Sequence, residues 1–214
     1  MIKILLSVIT LIAFNTVSKA QGVDFGIKVG ANFAKFGGDA NASNSITGFH
    51  AGALAQFKLT ETFSIQPEIL FSQQGSKNQY TEMYIENDSE VIARYERNQA
   101  VNYINVPVAL VYNLTGRFSI VAGPQAGFVI SADFDDEGST YIGEAKVSDF
   151  STSGDNKDDF KSIDFSVFAG AAYQLPVGVF FEARYQAGVS GVFENSNAAS
   201  ITNNVFSLSA GFKF

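Results

Sequence analysis

From residue 23 onward the chain alternates apolar and polar positions with a period of two. The alternation falls in eight separated windows: 23–33, 49–59, 63–71, 104–114, 118–130, 163–175, 179–189 and 206–214. Every second residue from the start of each window is apolar or aromatic, counting Ala, Pro and Tyr among them. The fourth window, for example, contributes Ile104, Val106, Val108, Leu110, Tyr112 and Leu114. A helix would space its apolar residues at steps of three and four, so the pattern predicts eight β-strands sharing one apolar face.

The intervening positions have a different chemistry. They hold glycine at 26, 30, 52, 123, 127, 170, 188 and 211, whereas the apolar positions hold none. Their charges balance, with Asp24, Glu68, Asp164 and Glu182 against Lys28, Lys58, Arg184 and Lys213. A water-facing sheet surface would be rich in Lys and Glu. A glycine-rich, sparsely charged and neutral face suits the inside of a narrow barrel, and the broad aromatic face suits lipid. The expected fold is all-β: an eight-stranded antiparallel up-and-down transmembrane β-barrel with Phe and Val outward and ion pairs inward. Closure is required, because an open sheet edge in hydrocarbon leaves backbone groups without partners.

The connections alternate in length. Those at 60–62, 115–117 and 176–178 are short, and those at roughly 34–48, 72–103, 131–162 and 190–205 are long. Outer-membrane barrels pair short periplasmic turns with long extracellular loops, which places both ends of the barrel on the periplasmic side. Pro67, Pro107 and Pro124 each delete a ladder donor inside a predicted strand, so a bulge or an unpaired position is expected at each. Tyr80, Tyr84, Ile85, Val91, Ile92 and Tyr95 punctuate 78–100 and predict a hairpin that prolongs strands three and four beyond the membrane. Its exposed aromatic edges would suit strand addition by a partner, with a self-contained hairpin the equal alternative. Nine acids against Lys146, Lys157 and Lys161 mark 133–161 as a solvated, mobile loop.

The N-terminus changes the address. Lys3, the apolar run from Ile4 to Phe14 and the small residues Ser18 and Ala20 form a signal peptide over 1–20, cleaved before Gln21. The barrel domain then occupies 21–214. No later apolar run reaches the roughly 20 residues of a spanning helix. With no cysteine and one histidine among 214 residues, disulfide scaffolds and thiolate metal sites are excluded. A formal charge of −7 argues against nucleic acid as a partner.

Candidate chemistry is sparse, and no catalytic, cofactor or metal residue is assigned. Lys28, Lys58, Glu68, Asp164, Glu182 and Arg184 are expected to form a structural ion-pair cluster in the lumen, since buried charges need paired, hydrogen-bonded partners. Glu68 and Arg184 lie on strands three and seven, opposite each other across an eight-stranded ring. A gate or ion relay is the functional alternative to such a plug. His50 is expected to be a hydrogen-bonded lumen residue; a hydrolase would need a serine and a carboxylate beside it, and no motif supplies them. Residues 155–159 have the outline of a calcium loop, but Lys157 occupies a ligand position and no glycine follows in register.

Six segments stand out together: 26–32 (GIKVGAN), 49–52 (FHAG), 64–75 (SIQPEILFSQQG), 103–107 (YINVP), 122–124 (AGP) and 184–188 (RYQAG). As a set they make the chain resemble the PorT-type outer-membrane β-barrel proteins of Gram-negative bacteria related to Bacteroides. The resemblance implies a barrel embedded in outer-membrane lipid. The terminal Phe214, with Phe212 before it, looks like the signal by which the barrel-assembly machinery recognises its clients. The expected function is a non-enzymatic structural or adaptor barrel with a side-chain-plugged lumen, meeting a protein partner at loops 72–103 and 131–162. A narrow channel and an accessory part in a protein-secretion system are the alternatives.

Overall fold

A computed structural model describes residues 22–38, 43–86, 89–194 and 201–214; the leader expected over 1–20 lies outside these residues. The strands are β1 (Val23–Gly38), β2 (Ser43–Asn44), β3 (Ile46–Lys58), β4 (Phe63–Glu86), β5 (Ser89–Asn113), β6 (Phe118–Ile142), β7 (Ala145–Asp155), β8 (Ile163–Gln174), β9 (Val179–Gly188) and β10 (Ile201–Lys213). Eight of them form a ring in the order β1-β3-β4-β5-β6-β8-β9-β10, every neighbour antiparallel. Closure comes from β1 against β10, paired from Gly26↔Lys213 to Gly38↔Ile201. Each predicted window lies on one ring strand.

The faces follow the sequence parity. Ile27, Val29, Phe49, Ile69, Phe165 and Phe181 point outward and are more than half exposed, whereas Lys28, Asn32, Gln66, Glu68, Gln125 and Arg184 point inward and are buried. This inversion of the usual soluble arrangement is what a hydrocarbon surround demands.

Each of the three strand prolines coincides with a gap in one ladder. The β3–β4 ladder skips the pairs between Leu54↔Glu68 and Phe57↔Ile65, at Pro67. The β4–β5 ladder skips those between Pro67↔Val108 and Leu70↔Asn105, at Pro107. The β5–β6 ladder skips those between Pro107↔Gln125 and Leu110↔Ala122, at Pro124. Register is kept across all three gaps, so the missing N–H costs local pairing without adding a residue. A register shift arises elsewhere, at Asn102/Tyr103, where Ile130 of β6 has no opposite number.

A crossing takes about 9–11 residues at a tilt near 45°. β4, β5 and β6 have 24, 25 and 25 residues, so they continue well past the bilayer on the long-loop side. There they form an open sheet with β7, ordered β4-β5-β6-β7. The hairpin predicted over 78–100 is its first half. The mobile loop expected over 133–161 is corrected: residues to Ile142 extend β6, Ala145–Asp155 form β7 against it, and Lys157–Asp159 form a 3₁₀ turn. Outside the membrane both sheet faces meet water, so an ordered strand there carries no apolar alternation.

Candidate functional site

Glycines on the inner wall leave room for long side chains to cross the axis. Lys28 of β1 donates from Nζ to Glu68 of β4 at 2.7 Å and to Glu182 of β9 at 3.1 Å. Arg184 of β9 donates to both Glu68 carboxylate oxygens, at 2.9 and 3.4 Å. Gln66 Nε2 adds a further bond to Glu68 at 2.8 Å. Arg184 Nε lies 2.9 Å from Glu182 Oε1 without the alignment of a hydrogen bond, and the guanidinium stacks 4.0 Å over the Phe168 ring. Two cations and two anions, all buried, thus form a neutral layer across the lumen.

Of the six residues expected in that cluster, Lys28, Glu68, Glu182 and Arg184 meet in it, and two do not. Lys58 is corrected to the periplasmic rim, where its side chain is 55% exposed and pairs with Asp24 at 2.9 Å. It stands at the end of β3, too far along the axis to reach the layer. Asp164 is buried but makes no ion pair among the described residues.

Toward the extracellular side, Gly30 of β1 faces His50 of β3, and a Cβ at Gly30 would lie 2.5 Å from the imidazole. The ring therefore lies flat against the wall. Its Nδ1 is 2.8 Å from Asn32 Oδ1 and its Nε2 is 2.9 Å from Ser209 Oγ of β10. Asn32 Nδ2 in turn donates to Ser72 Oγ and the Gln73 carbonyl, both at 3.0 Å. The partner of His50 is thus an amide, not the carboxylate a Ser/His/Asp triad uses. Ser209 is buried against the His50 ring.

Above this tie the barrel mouth is capped. Phe160 and Phe193 join the inward-facing Phe36, with ring centroids 4.7–6.3 Å apart. They pack on Val101, Tyr103, Val129 and Val192. Backbone bonds from Lys161 to Val192 and from Glu194 to Asp159 fasten the two loops together. Phe36 lies where β1 runs on to Gly38, inside the 34–48 stretch expected to be a loop; Phe160 and Phe193 sit in loops with no periodic signal. At the periplasmic end an open vestibule of about 660 Å³, edged by Asp24, Lys58, Glu61 and Arg117, leads toward Gln56. An inner cavity of about 20 Å³ beside Gln66 and Lys213 has room for roughly one water.

The protruding sheet carries its own chemistry. Tyr80 and Tyr95 stack at 4.8 Å, and Phe150 follows at 6.1 Å. Arg97 clamps Asp136 through two bonds of 2.6 and 2.5 Å and lies over Phe134. Those bonds hold the Asp136 carboxyl below the ordinary aspartate range. A hydrogen bond from Lys77, with another from Gln79, does the same for Glu96. Asn156, within the segment resembling a calcium loop, exchanges two amide bonds of 2.9 Å with Gln99. Among the described residues no group of three or more His, Cys, Asp or Glu converges to hold a metal.

Among solved structures the chain is similar to Ail, the attachment invasion locus protein of Yersinia pestis. Identity there is 11%, over 89% of this chain and 98% of that one, with a TM-score of 0.45. It is similar to neisserial surface protein A at 14% identity, over 90% of this chain and 99% of that one, with a TM-score of 0.48. The outer membrane protein OprG of Pseudomonas aeruginosa gives 12% identity, 91% and 97% coverage, and a TM-score of 0.37. No curated protein sequence matches the chain. The family model for the outer membrane protein β-barrel domain matches residues 18–194. The chain belongs to that family: it is an antiparallel β-barrel of the outer membrane, surrounded by lipid.

Proposed function

We propose that this barrel is a non-conducting, non-enzymatic scaffold that holds an adaptor sheet outside the cell. One observation carries the reading: two independent closures, the Lys28/Glu68/Glu182/Arg184 layer and the Phe36/Phe160/Phe193 cap, lie in series beneath a sheet whose outer edges are unpaired among the described residues. Charges that bind one another across the axis act as a brace rather than a path, and small barrels are filled in this way. The Asn32–His50–Ser209 chain is a second brace, tying β1, β3 and β10.

The adaptor role belongs to the sheet. β7 pairs with β6 alone, and residues 79–86 of β4 pair with β5 alone among the described residues. Edges of this kind suit an extended strand from a protein partner, held through main-chain bonds, and the proposed docking elements are those within 72–103 and 131–162. We assign the chain more finely to the PorT-type group on its quoted motifs, and we read Phe214 as its handle for the assembly machinery. A part in secretion is the second reading; stoichiometric co-purification of partner proteins from membranes would support it.

The test is planar-bilayer recording on the purified barrel. The scaffold reading expects no steady open steps. Reproducible steps of fixed conductance overturn it in favour of a narrow channel.

A further inference from the structure

Beneath the aromatic cap lies a second polar layer that neither the brace nor the adaptor sheet uses. Asp164 at the start of β8 pairs with Gly127 of β6, which pairs with Asn105 of β5. Glycine at the centre of this row is required: a Cβ there would stand 2.7 Å from Asp164 Oδ1 and 3.0 Å from Asn105 Oδ1. Both oxygens therefore lean over Gly127 toward one point. The Tyr103 hydroxyl, below the cap, lies within interaction range of Asp164 and the Asn203 amide but makes a well-formed hydrogen bond to neither. Ser166, two residues along β8 from Asp164, points inward on the same face.

These oxygens are under-served. Tyr103 Oη, Asn203 Oδ1 and Ser166 Oγ are buried without a hydrogen-bond partner, and each of the three residues is at least 97% buried. Asn203 spends its amide N–H on Gln74 at 2.6 Å, which leaves its carbonyl oxygen free. Buried oxygens without partners destabilise the fold, and a buried carboxylate without a counter-charge does so more strongly. The ionic layer below offers no relief, because its two cations already match its two anions. Lys213 is at the opposite end of the lumen, on Gln56 and Phe180.

We propose that this layer is a binding site for one dehydrated alkali-metal cation, held by Asp164, Asn105, Asn203 and Tyr103. The donor set is all oxygen, the preference of hard cations. Charge selects the valence: one carboxylate is neutralised by a single positive charge, whereas a divalent ion would leave a net charge buried. A proton on Asp164 would serve one acceptor, while a cation serves all of them together. Bound there, the ion fastens β5, β8 and β10 directly under the cap.

The experiment is crystallography of the detergent-purified barrel grown in rubidium chloride. An anomalous peak bounded by the Asp164 and Asn203 side-chain oxygens is expected in the wild type and is lost in Asp164→Asn. A wild-type map with no peak overturns the proposal, as does a peak that survives in Asp164→Asn. Should that variant fail to fold, unfolding of the wild type at equal ionic strength decides. Rubidium chloride should raise its unfolding temperature above that in tetramethylammonium chloride, since a ligand of the native state stabilises it. Equal temperatures reject the site.

Discussion

Glu68 accepts bonds from Lys28, Arg184 and Gln66, so its removal strands two buried cations on the single remaining carboxylate of Glu182. Glu68→Ala should cost about 3–5 kcal/mol, the usual result of breaking one side of a buried pair; urea unfolding of the barrel in detergent measures it. Leu208 and Ser209 test the two faces at adjacent positions. Leu208→Arg, on the lipid side, should cost about 2–4 kcal/mol near the midplane. Ser209→Ala loses one bond to His50 and should cost about 1 kcal/mol. Equal losses in the same unfolding assay would refute the face assignment. Parity alone put Lys28, Glu68, Glu182 and Arg184 inside, and it put Lys58 there equally. Parity reports which way a side chain points but says nothing of its height on the axis, so the rim residue looked like a layer residue.

At the scale of elements, the ring strands were legible because lipid on one side and a packed lumen on the other impose strict alternation. The extracellular continuation of β6 and the whole of β7 were not, since water on both faces removes that constraint. Ile130 also breaks the parity of β6, shifting the inward set from Val129 to Ala132. The protruding sheet is held by cross-strand pairs such as Arg97–Asp136, whose side chains are 49% and 20% exposed. A double-mutant cycle on this pair should give about 0.2–1 kcal/mol at neutral pH, the worth of an exposed bidentate pair. Because binding to Arg97 depresses the Asp136 carboxyl, the coupling is complete above the ordinary aspartate value of 3.8 and fades as pH falls through the lowered one. Coupling that grows on acidification would contradict the geometry.

For the whole molecule, two closures in series mean that no single lesion should open a path. Phe36→Ala empties the cap and should cost about 3–5 kcal/mol, yet leave bilayer conductance at baseline because the ionic layer still blocks the axis. Glu68→Ala alone should behave likewise. Combining the two is expected to yield open steps; a conducting single variant would show that one closure does all the blocking. The cap was invisible to sequence reading for a general reason: Phe160 and Phe193 meet through the fold of two loops, and no local pattern marks a loop that turns inward.

The seam between β1 and β10 joins residues more than 160 positions apart. Contacts so distant in sequence are slow to form, since the chain must surrender its loop entropy before any of them gains. Until β10 emerges, β1 has one wet and unsatisfied flank and cannot reside in oil. Insertion of this protein is thus bound to be an all-or-none event governed by its final hairpin, and a polypeptide cut short before Ile201 would be left in the aqueous space as a substrate for proteolysis.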